Sequence, residues 1–128
     1  MSSEELFTKV NLFLTTFKEC VSDGHVSFSE VNAKTTRFLR AYGITVAAMH
    51  NFSIENIEEK HYFRGPSEHH RASNRTVTEF GLVWDEIKVY VKLELIAQEN
   101  NFVAAYMSFH PREQEIDCFP LDYKGEVI

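Results

Sequence analysis

Cysteine is nearly absent. Cys20 and Cys118 are the only two in 128 residues, and neither stands at a metal or redox spacing, which fits a reducing cytoplasm. Long apolar runs are missing too. No stretch approaches the roughly 18 residues of a membrane span, and Met1 is followed by Ser-Ser-Glu-Glu, so neither a span nor a signal peptide is expected. Positive charge is in deficit: 13 Lys and Arg face 19 Asp and Glu, a formal net charge of −6. That balance argues against a protein that coats nucleic acid non-specifically, but it leaves room for a short RNA segment in a local basic site. Repeats and low-complexity segments are also lacking.

What is present is apolar patterning. Hydrophobic residues make up 44% and include 11 Phe, enough for one domain over residues 1–128 with a real core. A helical part spans 1–59, a sheet part 60–121 and a short tail 122–128. Ser2-x-x-Glu5 resembles a capping box. Leu6, Val10, Phe13, Leu14, Phe17 and Val21 then recur at helical spacing, predicting a helix over 4–22 that stops at Gly24. Residues 25–28 read as a short extended link or edge strand. Ser29 is positioned to cap a second helix, with Val31, Phe38, Leu39 and Tyr42 inward and Gly43 closing it. Thr45 caps a short helix through Met49, and Ser53-x-x-Asn56 starts another turn. A first strand is expected over 60–63. The window 64–75 shows no periodicity after its Gly65-Pro66 turn. With His61 it holds Arg64, His69, His70, Arg71 and Arg75 against one acid, Glu68, and is either an RNA-binding patch or a solvated loop. Its paired histidines have no third ligand at helpful spacing, so neither a metal nor a cofactor is expected.

The most regular signal comes later. Ile87, Val89, Val91, Leu93 and Leu95 alternate with Lys88, Tyr90, Lys92 and Glu94, the period of a half-buried antiparallel strand. With 76–84 before it and 102–110 after it, this predicts a three-stranded meander. A two-residue turn at Asp85-Glu86 puts Glu79 opposite Lys92 and Gly81 opposite Tyr90. A five-residue loop over 97–101 puts Lys92 opposite Tyr106, Tyr90 opposite Ser108 and Lys88 opposite His110. Opposed side chains lie within about 5 Å, so Glu79, Tyr90, Lys92, Tyr106 and His110 are expected on one open face. Cross-strand ion pairs on an ordinary solvated face are the plain alternative.

Several segments resemble the small bacterial toxins of the motility quorum-sensing regulator type (MqsR-like), within the RelE-like group. They are Val10-x-x-Phe13-Leu14-x-x-Phe17-Lys18, then Gly24-x-Val26-x-Phe28, and Tyr42-Gly43-Ile44-Thr45 before a short helix. His61-Tyr62-Phe63-Arg64-Gly65-Pro66, Glu79-Phe80-Gly81 and Val89-Tyr90-Val91-Lys92-Leu93 follow. Ser108-Phe109-His110-Pro111-Arg112-Glu113 and Phe119-Pro120-Leu121 complete the series. The resemblance implies an α+β fold, with N-terminal helices packed on one face of a curved antiparallel sheet (RelE-like). This agrees with the order of helices, then strands. It further implies a cytoplasmic toxin that cleaves mRNA without metal and is held inactive by an antitoxin protein. The family's basic residue falls on Arg64, where a lysine is commoner. Its polar residue at the start of the meander falls on Glu79, and its remaining site positions on Tyr90, Lys92 and His110.

Those side chains suit metal-free RNA cleavage. Glu79 would take the 2′-hydroxyl proton and His110 would protonate the leaving oxygen. Lys92 and Arg64 would clamp the phosphate. Tyr90 would donate to a phosphate oxygen, or act as acid, or as base if nearby lysines lower its pKa. His61, Arg71 and Arg75 would bind RNA, and Tyr106 or Phe63 would stack a base. Two other functions fit the same chain. One is a non-catalytic RNA- or protein-binding module. The other is a helix-and-sheet cone that encloses a small ligand, with Trp84, Phe80 and Tyr90 lining a pocket.

Overall fold

The computed structural model describes residues 3–69 and 72–111. Among the described residues, three helices and a five-stranded mixed sheet make an α+β fold. Helix α1 (Ser3–Ser22) is the predicted amphipathic helix, with Val10, Phe13, Leu14 and Phe17 buried. Gly24 ends it at φ +80°, a conformation that costs glycine little. Strand β1 (Val26–Ser27) follows as an edge strand, parallel to the last of the described strands.

Helix α2 (Ala33–Tyr42) starts later than expected, because Asn32 and not Ser29 is its cap. Asn32 Oδ1 accepts from Thr35 N at 2.9 Å, while the Asn32 amide donates to Ser108 Oγ at 2.8 Å. One residue thus caps the helix and ties it to the sheet. Gly43 closes the helix, and Tyr42, expected inward, stays exposed. Helix α3 (Val46–Asn56) keeps its Thr45 cap but runs through Met49 to Asn56. Ser53 does not restart it; it is buried inside the same helix. A 3₁₀ turn (Glu59–His61) leads into the sheet.

The strands are β2 (Tyr62–His69), β3 (Ala72–Trp84), β4 (Ile87–Ala97) and β5 (Phe102–Pro111), in the order β1-β5-β4-β3-β2. The window 64–75, expected to be aperiodic loop, is largely strand: β2 pairs with an extended β3 through several register shifts. Asp85 and Glu86 form the predicted two-residue turn, both at positive φ (46° and 68°). This is the geometry that matches the twist of a hairpin. Glu79 accordingly stands opposite Lys92 and Gly81 opposite Tyr90.

The β4–β5 register differs from the expected one. Ala97 pairs with Phe102, which shortens the loop to four residues (98–101), and a bulge at Met107 adds a further step. Leu93 therefore faces Tyr106, Lys92 faces Ser108, and Tyr90 faces His110. Val103 and Met107 are only half-buried, whereas Ala104 and Tyr106 are fully buried.

One sheet face packs on the helices through Phe80, Leu82, Val89, Val91, Leu93, Tyr106 and Phe109. Tyr106 meets Phe17 edge-on and stacks on Phe28, and its hydroxyl lies 2.8 Å from His50 Nδ1. Burial holds the His50 pKa below the ordinary histidine value, so the folded state binds fewer protons than the unfolded chain. Its stabilising contribution is complete above the unfolded value of about 6.5 and is lost as pH falls through the lowered folded value. Burial shifts His61 in the same direction. Urea midpoints should therefore fall from about pH 7 to about pH 5, and His50→Gln should make that fall shallower. An unchanged slope in the variant would remove His50 from the account.

No described helix is long and apolar enough to cross a membrane.

Candidate active site

The opposite sheet face carries the polar residues. Pairing sets them in two adjacent rows: Arg64, Glu79, Lys92 and Ser108 in one, and Gly81, Tyr90 and His110 in the next. The period of two on β3 and β4 creates this face, since Phe80, Val91 and Leu93 turn to the helices and their neighbours must turn away.

Glu79 is the hub. The Tyr90 hydroxyl donates to its Oε1, and Arg64 Nε lies 3.6 Å from its Oε2. The Glu79 side chain is only 13% exposed, whereas Arg64 is 63% exposed and lays its guanidinium over the Phe63 ring at 4.7 Å. A tight crossing of strands brings Arg64 here. Gly65 sits at φ +100°, and a Cβ on it would lie 2.6 Å from Val77 O, so only glycine lets β2 press this closely on β3. The Tyr62 hydroxyl donates to Gly65 O and fastens the same corner. Lys92 stands directly across from Glu79, but no ion pair to Lys92 is present among the described residues.

Tyr90 is held protonated. Burial foremost, then the hydrogen bond and the charge of Glu79, push its pKa well above the usual tyrosine range, against a smaller opposing pull from Arg64. The base role, which required nearby lysines to lower this pKa, is therefore not met: the environment of Tyr90 is set by a carboxylate, and its hydroxyl donates. His110 lies beside it, ring centres 5.4 Å apart, and is largely buried. His110 Nδ1 is 3.0 Å from the Pro111 carbonyl. A carbonyl only accepts, so Nδ1 carries the proton of that bond and Nε2 is left to exchange one.

The other expected RNA contacts fare differently. Tyr106 cannot stack a base, because the four-residue loop pairs it with Leu93 and so turns it into the core, where it is 0% exposed. Arg75 is engaged elsewhere: its Nη1 lies 3.2 Å from the fully buried Glu94 and 3.3 Å from Glu30. Removing it would strip a buried carboxylate of a cation, so it is part of the structure's frame. His61 accepts from the Glu58 backbone N–H and lines a cleft of about 300 Å³ with Phe52, Asn56, Lys88 and Gly81. That cleft adjoins the polar face at Gly81, the partner of Tyr90. Arg71 lies outside the described residues. A ligand-enclosing cone is not formed by the rings proposed for it, since Phe80 and Trp84 belong to the helix side and Tyr90 to the other.

Sequence reasoning missed Ser108 as the neighbour of Lys92, and the Asn32 contact that fixes it. The Asn32-Ala33 step carried a cap signal, but nothing local marks the bulge that brings Ser108 into this row. Among the described residues no group of three or more His, Cys, Asp or Glu is placed to hold a metal ion. Comparison with protein-family models, with curated protein sequences and with solved structures finds no match.

Proposed function

We propose that this protein is a metal-independent endoribonuclease of the toxin type, cleaving mRNA by attack of the ribose 2′-hydroxyl and restrained by an antitoxin protein. One observation carries the reading: Glu79, Tyr90, Arg64, Lys92 and His110 converge on one sheet face from four strands. The resemblance to MqsR-like toxins falls on the same residues.

The chemistry needs a base, an acid and positive charge at the phosphorane. Glu79 receives the 2′-hydroxyl proton as the 2′-oxygen attacks phosphorus. The bond from phosphorus to the 5′-oxygen breaks, and His110, protonated at Nε2, supplies the proton that leaves with that oxygen. The products are a 2′,3′-cyclic phosphate and a 5′-hydroxyl. Arg64 is exposed and only loosely held at 3.6 Å, so an arriving phosphate can draw it from Glu79. Its departure frees one carboxylate oxygen. Lys92 adds a second cation from the neighbouring strand. Tyr90 orients Glu79 at rest and offers its O–H to a phosphate oxygen when substrate is bound.

A second reading, a non-catalytic RNA-binding face, is favoured by the occupation of both Glu79 oxygens by the protein's own residues. The decisive assay is cleavage of single-stranded RNA in EDTA with analysis of the new ends. Cyclic phosphate ends are expected. Bound but uncut RNA would leave the binding reading in its place, and cutting that stops with EDTA would replace the mechanism with a metal-dependent one.

A further inference from the structure

The acidic excess of the chain is not spread evenly. Helix α2 holds Lys34, Arg37 and Arg40 and not one of the 19 acids. At about 100° per residue, these three fall on the side opposite Thr35, Phe38 and Leu39, which are buried. All three cations are exposed, and they span about 9 Å along the axis. Among the described residues no carboxylate forms a salt bridge with Arg37 or Arg40.

The helix ends in an exposed ring. Tyr42 is 56% exposed, yet it is held in place by Phe38 (ring centres 5.0 Å apart) and by Trp84 edge-on at 6.1 Å. At the other end, the Asn32 cap binds Ser108, whose cross-strand neighbour is Lys92. The basic stripe thus begins at the border of the candidate active site and ends at an aromatic surface. A fixed aromatic face stacks any base, and a cationic stripe follows a backbone without reading sequence.

We infer that the solvent face of α2 is a track for single-stranded RNA, with Arg37 and Arg40 on phosphates and Tyr42 under a base. This rests on the RNA-cleaving reading above, because it is the strand leading into that site that the track would hold. Cations alone would equally suit an acidic protein segment; the ring at the end of the stripe favours a nucleic acid.

The test is anisotropy of a short labelled 2′-O-methyl RNA, which lacks the nucleophile and stays uncut, titrated across a salt series. Arg37→Ala/Arg40→Ala should weaken binding at least tenfold at low salt. It should also flatten the slope of log K against log salt by about 1.4, or about 0.7 for each of two phosphates. Tyr42→Ala should weaken binding about tenfold with the slope unchanged. The melting temperature of Arg37→Ala/Arg40→Ala should match the parent, as both side chains are on the surface. That of Tyr42→Ala should fall only by what its contacts with Phe38 and Trp84 contribute, leaving the protein folded at the assay temperature. Equal affinity and slope in the double variant would overturn the track and give the stripe to a protein partner, whether or not RNA is cut. No binding by the parent at low salt would overturn it as well. Binding that depends on α2 in a protein that cuts no RNA would keep the track and sink the ribonuclease.

Discussion

Tyr90→Phe should slow RNA cleavage by about 10²-fold or more while changing stability by no more than about 3 kcal/mol. The substitution removes one oxygen. Glu79 loses the hydroxyl that orients it but keeps Arg64, and the ring keeps its place beside His110. His110→Gln should cost at least as much in rate, because Gln preserves bulk and hydrogen bonding but cannot carry an exchangeable proton at Nε2. His110 is largely buried, so a melting curve must accompany each rate. If both variants cut RNA at the parent rate, the reacting groups lie elsewhere on the molecule. If the rate falls only as far as the folded fraction does, these side chains hold the sheet and do no chemistry.

The second large effect is on the core. Leu93→Ala should destabilise the protein by about 2–5 kcal/mol. Leu93 is 1% exposed in the strand that lies between β3 and β5, with Thr78 on one side and Tyr106 on the other. Neighbours pinned in a sheet cannot collapse into the space a lost side chain leaves, so the cost should lie well within that range. Urea unfolding measures it directly. A loss below about 0.5 kcal/mol would mean that this face does not meet the helices.

The correctly read parts share one property: their pattern and their ends agreed. On β4 the strict alternation chose the buried face, and the two-residue turn at Asp85-Glu86 then left only one register with β3. That pair alone places Glu79, Tyr90 and Lys92 together. Helix α1 was equally legible from its apolar spacing and Gly24. Elsewhere local signals misled. Ser53 looked like a helix start because small hydroxyl residues favour caps, yet its position on α3 faces the packed interior. Residues 64–75 looked like loop because β2 breaks register repeatedly and carries Gly65-Pro66 inside the strand. The pairing of Tyr90 with His110 was out of reach, since it depends on a bulge whose residues, Ala105, Tyr106, Met107 and Ser108, announce no face.

That bulge has a consequence for how the chain can vary. Before Met107, β5 sends Tyr106 toward the helices; after it, the parity changes and His110 goes to the polar side. The strand is two half-strands out of phase, joined at one residue. Side chains along it can be exchanged singly, but its pairing cannot slip, because drawing Met107 into the ladder opposite Lys92 would move everything after it by one residue. Phe109 would then surface opposite Tyr90 and His110 would turn inward opposite Val89, whereas deleting Met107 would leave Tyr106–Leu93 and Ser108–Lys92 as consecutive pairs with both faces intact. The interior and the polar face share a single reading frame along this strand, so variants that shift it should lose folding and site together.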